Sequence, residues 1–257
     1  MSFKKAIVRL PGLNFDQGLT RADLGPPDLD LAQEQHNVYC AALKRCALDV
    51  TVLNADPIYP DSVFVEDTAV LTSKCAIIAR PGAPSRVGET AGIKSELSKF
   101  YDVTHSITEP GTVDGGDVCE VDDHFLIGIS NRTNEAGALQ LRKILASFGY
   151  SSSLIDIRSV NEILHLKSGI AYLGDHRLVA IEALANRDEF RDYDLIRVEP
   201  DENYAANCLQ INWHVLVASG HPVFEAGLRD LGYQVIALEM TEFQKMDGGL
   251  SCLSLRF

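Results

Sequence analysis

Asp114-Gly115-Gly116-Asp117-Val118-Cys119-Glu120-Val121-Asp122-Asp123-His124-Phe125-Leu126-Ile127-Gly128-Ile129 is the stretch whose reading decides the fold. A polar cluster precedes a short β-rich run (118–121), two acids make a tight turn, and a second apolar run (125–129) follows. Asp, Asn or Gly between short β-branched and aromatic runs is a hairpin signal. Beyond it, residues 134–148 carry Ala138, Leu141, Ile144 and Leu145 at helical spacing, and Gly149 ends the pattern.

The same unit recurs with a period of roughly 45 residues, a length typical of radial or stacked repeats. Glu66-Asp67 stands before runs 69–72 and 75–79, with Ser73-Lys74 at the turn. His165-Leu166-Lys167 stands before 170–173 and 178–181, and Asn207 before 208–211 and 215–218. Asp247-Gly248-Gly249 leads into a single run, 251–257, where the sequence ends. The run 5–9 is predicted to complete that last hairpin and close a ring. Further helices are expected over 28–43 and 224–231. Hairpins alternating with helices, without a βαβ crossover pattern, predict radial ββα-type modules rather than a doubly wound sheet.

With 257 residues, 46% hydrophobic and 23% charged, and no Gly/Ser or Pro-rich linker, one domain over 1–257 is expected. No apolar run approaches the ~18 residues of a membrane span. The start, Met1-Ser2-Phe3-Lys4-Lys5, leads into an apolar stretch broken at Arg9, which reads as a first strand of a cytoplasmic protein. The formal charge of −13, without a basic stripe, argues against a nucleic-acid partner and is compatible with a cationic substrate. Six cysteines lack any C-x-x-C spacing, so neither a metal framework nor disulfides are implied.

Because each polar cluster precedes the first strand of its unit, approximate symmetry would bring Glu66, Asp67, Asp114, Asp117, His165, Asn207 and Cys252 to one place. A buried cysteine is ordinarily a small apolar residue. Cys252 is set apart by the Gly-Gly loop before it and by its place in the repeat. Of seven histidines, His165 is the one at the matching position. Several carboxylates around one cavity need a cation between them. Repeated Zn or Ca ligand spacing is lacking, whereas a guanidinium offers a planar fork of donors to paired carboxylates. Arg86 and Arg132, after the first and second hairpins, would then clamp a substrate carboxylate.

Phe64-Val65-Glu66-Asp67, Asp114-Gly115-Gly116-Asp117, Ser130-Asn131-Arg132-Thr133-Asn134, Leu164-His165-Leu166-Lys167-Ser168, Ala205-Ala206-Asn207-Cys208 and Asp247-Gly248-Gly249-Leu250-Ser251-Cys252 together resemble the dimethylarginine dimethylaminohydrolase family, over essentially the whole chain. The resemblance implies an α/β five-bladed ββαβ propeller with pseudo-fivefold symmetry, closed by the N- and C-terminal strands. It implies hydrolysis of dimethylarginine or monomethylarginine to citrulline and an amine through a covalent Cys thiouronium. Cys252 would be the nucleophile, His165 the general acid and base, and Asp114 the acidic member of the set. Glu66 and Asp67 would hold the guanidinium, Asp61 the α-amino group, and Arg86 with Arg132 the carboxylate. Leu19 would lie on a mobile lid, and the Met246 backbone would touch the substrate. Thr68 departs from the Pro frequent in relatives. No cofactor or metal is implied, the partner is a small molecule, and a homodimer is compatible with the resemblance. The rival readings are an arginine deiminase or another guanidine-modifying activity, and a non-catalytic propeller that binds cations.

Overall fold

The computed structural model describes residues 2–257. Strand β1 (Lys5–Arg9) is followed by helix α1 (Leu29–Arg45) and β2 (Asp49–Leu53), which pairs parallel with β1. A hairpin of β3 (Ala69–Leu71) and β4 (Ala76–Ile78) comes next; α2 (Thr90–Leu97) then returns the chain to β5 (Thr104–Ser106), parallel with β4. The plan repeats in β6 (Val118–Val121), β7 (His124–Ile129), α3 (Glu135–Ser147) and β8 (Ser151–Asp156). It repeats again in β9 (Ile170–Tyr172), β10 (Arg177–Ile181), α4 (Glu182–Ala185) and β11 (Asp194–Val198). The last complete copy is β12 (Leu209–Ile211), β13 (His214–Ala218), α5 (Pro222–Asp230) and β14 (Gln234–Leu238). A short α6 (Thr241–Gln244) leads to β15 (Leu255–Arg256), antiparallel to β1 at Ala6↔Arg256 and Ile7↔Leu255. The fifth blade is thus assembled from both ends of the sequence, and the five three-stranded sheets form an α/β propeller.

One expectation is corrected. Every blade does contain a βαβ crossover, because its third strand lies parallel to the second. These third strands are edge strands with weak alternation; Thr104-His105-Ser106 and Ser151-Ser152-Ser153 bury little, so no period-2 signal marks them. The middle strands are the opposite case. Leu178–Ile181 and Val215–Ala218 are buried residue after residue, since both faces of the sheet are covered. The core lies largely between blades: Cys119 and Leu126, Ile170 and Val179, and Val215 and Val217 share one cluster.

The turns and caps form for local reasons. Asp122, Asp175 and Asn212 occupy the left-handed region at φ 53°, 49° and 53°, which Asp and Asn tolerate better than other side chains. Asn134 caps α3 by accepting from Gly137 N at 2.8 Å, and Asp28 caps α1 by accepting from Leu31 N at 3.0 Å.

The polar clusters fold into 3-10 turns at the axis: Val65–Thr68, Gly115–Asp117, Leu166–Ser168, Pro200–Ala206 and Ser251–Leu253. Each is tied to the next by a hydrogen bond involving a side chain. Gly116 N donates to Asp67 Oδ1 at 2.9 Å, Leu166 N to Asp117 Oδ1 at 2.9 Å, and Asn207 Nδ2 to Lys167 O at 2.9 Å. Ser251 N donates to Asn207 Oδ1 at 2.8 Å, and Ser251 Oγ closes the circuit on Glu66 Oε2 at 2.7 Å. Glycine is needed where turns touch: a Cβ at Gly115 would lie 2.0 Å from Glu66 O. This ring fixes the side chains that point along the axis.

Candidate active site

Eight of the ten candidate residues line one cavity: Cys252, His165, Leu19, Asp61, Asp67, Arg86, Arg132 and Met246. Asp114, fully buried, stands behind His165 with Oδ2 2.9 Å from His165 Nε2. Gly82 N donates to the other Asp114 oxygen at 2.7 Å, and Thr133 Oγ1 accepts from the Asp114 N–H at 3.0 Å. The carboxylate is therefore held at both ends and orients the imidazole.

Glu66 is the exception. It was expected beside Asp67 on a guanidinium, yet it is not among the residues lining this cavity. It faces a separate axial cavity, shared with Lys167, Ser251 and Arg256. There Lys167 Nζ donates to Glu66 Oε1 at 2.7 Å, with Arg256 Nη2 at 3.4 Å. A carboxylate so neutralised lies behind the site, outside its lining, rather than standing in it as an open anion. Neighbours in sequence thus split between two cavities: Glu66 from Asp67, and Ser251 from Cys252.

The two arginines also differ. Arg86 is buried and committed: Nη1 donates to Asp67 Oδ2 at 2.5 Å, Nε and Nη2 to Glu89, and Nη2 also to Asp61 O and Phe64 O. Among the described residues, Arg132 has one carboxylate within 4.0 Å, Asp114 Oδ2 at 4.0 Å. It is the cation left available for a carboxylate. Over the cavity, Leu19 N donates to Asp61 Oδ1 at 2.9 Å, Thr20 Oγ1 to Lys245 O at 2.8 Å, and Arg21 N to Asp247 Oδ2 at 2.6 Å. Residues 19–21 are thereby pinned across its mouth.

Burial alone would depress the charged form of His165, but Asp67, the bond to Asp114, and Asp117 outweigh it and raise its pKa to about 9. Asp67 goes the other way. Burial favours its neutral form, but His165 and Arg86 hold its carboxyl down at about 2. Burial, then Glu66 and Asp67, push the Cys252 thiol up to about 12; the Gly249 N–H, 3.4 Å from Sγ, opposes this. At neutral pH the site therefore holds an imidazolium and a thiol. It can give a proton from His165 at once, but its nucleophile needs a further cation to ionise.

The sign follows. Below its pKa a thiol gains about tenfold in thiolate per pH unit. Labelling of Cys252 by the neutral reagent iodoacetamide should rise about tenfold per unit from pH 7 to pH 9. The cationic chloroacetamidine, which brings its own charge to Asp67, should react far faster at pH 7. Iodoacetamide labelling already level at pH 7 would overturn this account of the thiol.

Asp67, Asp114 and His165 also place one potential metal-ligand atom each within 4.8 Å of the others. The His165 and Asp114 atoms are bonded to each other, and Asp67 is paired with Arg86, so a metal would have to break existing bonds.

Comparison with known proteins agrees with this geometry. The model of the family described as N,N dimethylarginine dimethylhydrolase, eukaryotic, matches residues 28–249. The N(G),N(G)-dimethylarginine dimethylaminohydrolase of Pseudomonas aeruginosa is 46% identical over 256 residues, spanning 99% of this chain and 100% of that one. The chain belongs to the dimethylarginine dimethylaminohydrolase family.

Solved structures of the dimethylarginine dimethylaminohydrolase family superpose closely. A cysteine-to-serine mutant of the Pseudomonas aeruginosa protein complexed with citrulline gives a TM-score of 0.97 at 44% identity, with all of both chains covered. A histidine-to-glycine dimethylarginine dimethylaminohydrolase, as an adduct with S-methyl-L-thiocitrulline, gives 0.96 at 45% identity, over 99% of this chain and 100% of that one. Where this member of the family carries Thr68, the hydroxyl donates to Val65 O at 2.6 Å and closes the turn that bears Asp67. Sequence reasoning missed Lys167, Ser251 and Glu89. Lys167 and Ser251 stood inside the quoted motifs but were given no role, while Glu89 carried no signal.

Proposed function

We propose that the chain hydrolyses Nω-methylated arginine to citrulline and methylamine or dimethylamine. The observation that carries the proposal is Cys252 and protonated His165 in one cavity with the ionised Asp67. Asp67 attracts the guanidinium, Arg132 the α-carboxylate and Asp61 the α-ammonium group, with the backbones at Leu19 and Met246 closing around the chain of the substrate. The bound cation favours loss of the Cys252 proton to solvent. The thiolate adds to the guanidinium carbon; His165 transfers its proton to the methylated nitrogen, and the C–N bond breaks as neutral amine leaves. A thiouronium remains on Cys252. His165, now neutral, takes a proton from water as it attacks the same carbon, and the C–S bond breaks to give citrulline and the free cysteine. Asp114 keeps the imidazole aligned in both halves.

The relatives' names and the citrulline and S-methyl-L-thiocitrulline complexes support this reading. Among the described residues no helix is long and apolar enough to cross a membrane, and all six cysteines are unpaired, which fits a cytoplasmic enzyme working as one catalytic unit over 1–257. Homodimerisation belongs to the proposal as an arrangement compatible with the family. The test is a product assay with asymmetric dimethylarginine, monomethylarginine and arginine. Methylated substrates should release citrulline with equimolar methylated amine, at kcat/KM at least tenfold above arginine. Ammonia from arginine as the faster reaction would replace the proposal with arginine deimination.

A further inference from the structure

Arg86 poses a question that its position in the cavity wall does not answer. A guanidinium has five N–H donors. Those of Arg86 are directed at protein acceptors: Nε to Glu89 Oε1 and Oε2 at 3.0 and 3.2 Å, Nη2 to Glu89 Oε2 at 2.9 Å, Nη1 to Asp67 Oδ2 at 2.5 Å. Nη2 also reaches Phe64 O at 3.0 Å and Asp61 O at 3.3 Å. Three of these acceptors belong to residues that line the substrate cavity: Asp61, Phe64 and Asp67. The fourth partner, Glu89, does not line it.

Glu89 is well placed to fix that fork. It ends the 3-10 turn Pro84–Glu89, precedes α2, and is 3% exposed. Its carboxylate takes the Nε edge of the guanidinium side-on, the bidentate geometry that removes rotational freedom from an arginine. The turn that carries it is pressed against the segment leading to Asp61: a Cβ on Gly88 would lie 1.9 Å from Tyr59 Oη, and Tyr59 immediately precedes the turn Pro60–Val63. Glu89 also supplies a second buried carboxylate beside Asp67; burial pushes its pKa up to about 7 against the pull of Arg86, so its charge develops through neutral pH. Without it, Asp67 alone would balance a buried arginine, and would be drawn toward Arg86 and away from an incoming cation.

We infer that Glu89 is a positioning residue for substrate recognition, acting through Arg86 to hold Asp61, Phe64 and Asp67 in the arrangement that receives the two ends of the amino-acid substrate. Glu89 touches no reacting atom. Its influence falls on binding rather than on the chemical steps, which use Cys252, His165 and Asp114. The inference rests on the function proposed above.

The test is Glu89→Gln, which keeps the shape but removes the charge and turns an amide N–H₂ toward Arg86. KM for dimethylarginine should rise at least tenfold while kcat stays within threefold of the parent. The Kd for citrulline, measured by calorimetry without turnover, should weaken by the same factor. Iodoacetamide labelling of Cys252 should stay within twofold, because the nucleophile is untouched. KM and Kd within twofold of the parent, or a kcat loss as large as the rise in KM, would overturn the inference. If the glutamine variant does not fold, Glu89→Asp, which keeps the charge but withdraws it by one methylene, must show the same split of KM from kcat. Calorimetry keeps the two readings apart: a parent that binds citrulline but releases no amine defeats the proposed function, whereas an unchanged Kd in the variant defeats only the role of Glu89.

Discussion

Replacing Cys252 by serine should lower citrulline formation from dimethylarginine by at least about 10³-fold while leaving ligand binding nearly intact. The nucleophile must ionise in a cavity that opposes it: burial, joined by Glu66 and Asp67, already holds the thiol up at about 12. An alcohol starts from a far higher pKa, and the cationic substrate and His165 that bring a thiol within reach do not bring a hydroxyl there. His165 offers no substitute base, because its imidazole is protonated up to about pH 9. Binding should survive, since Sγ does little in the ground state beyond accepting the Gly249 N–H at 3.4 Å, and a hydroxyl can take that bond. Single-turnover citrulline assays and calorimetry with citrulline check the two halves. A loss of activity below tenfold would remove Cys252 from the role of nucleophile.

How far the site could be read from sequence depended on which periodicity each part carried. Helices α1 and α5 formed close to the expected stretches 28–43 and 224–231, and α3 announced itself through apolar side chains three and four apart and the glycine that ends it. Hairpins did so through Asp122, Asp175 and Asn212, whose left-handed backbone few other residues accept. The repeat then gave the convergence of Asp67, Asp114, His165 and Cys252; Ser251 and Glu66, the pair that closes the axial circuit, lie 185 residues apart. What could not be read was direction within a turn. Glu66 and Asp67 share one 3-10 turn, where successive side chains diverge by about 120°. Their identities are alike, so nothing in the sequence said which would face Arg86 and which Lys167. The third strands were hidden because an edge strand such as Thr104–Ser106 buries too little to need alternation. Glu89 was hidden more deeply. Its importance comes from a bidentate bond to an arginine three residues away on the same turn, a spacing indistinguishable from an ordinary surface ion pair.

Replacing His165 by glycine should separate the two halves of the reaction. With dimethylarginine the variant should lose roughly 10²–10⁴-fold in kcat, because the methylated nitrogen cannot leave as an anion and no other group in the cavity stands ready to give it a proton. S-methyl-L-thiocitrulline has a different leaving group, a thiolate that departs without protonation. Attack by Cys252 should therefore still proceed, and the adduct should accumulate because the water that would hydrolyse it has lost its base. Intact-protein mass spectrometry should find a stoichiometric adduct on Cys252 with the thiocitrulline and none with dimethylarginine. Equal turnover of both compounds by the variant would show that the proton comes from elsewhere. The same substitution changes stability in a direction fixed by the folded-state pKa. His165 is raised from 6.5 to about 9 by Asp67, Asp114 and Asp117 acting against burial, so its charge stabilises the parent most fully below pH 6.5 and less as pH rises through about 9. Glycine removes that contribution. The gap in Tm between parent and variant should accordingly be widest near pH 6 and narrow toward pH 9, and a gap that widened with pH would mean that the imidazole is buried neutral.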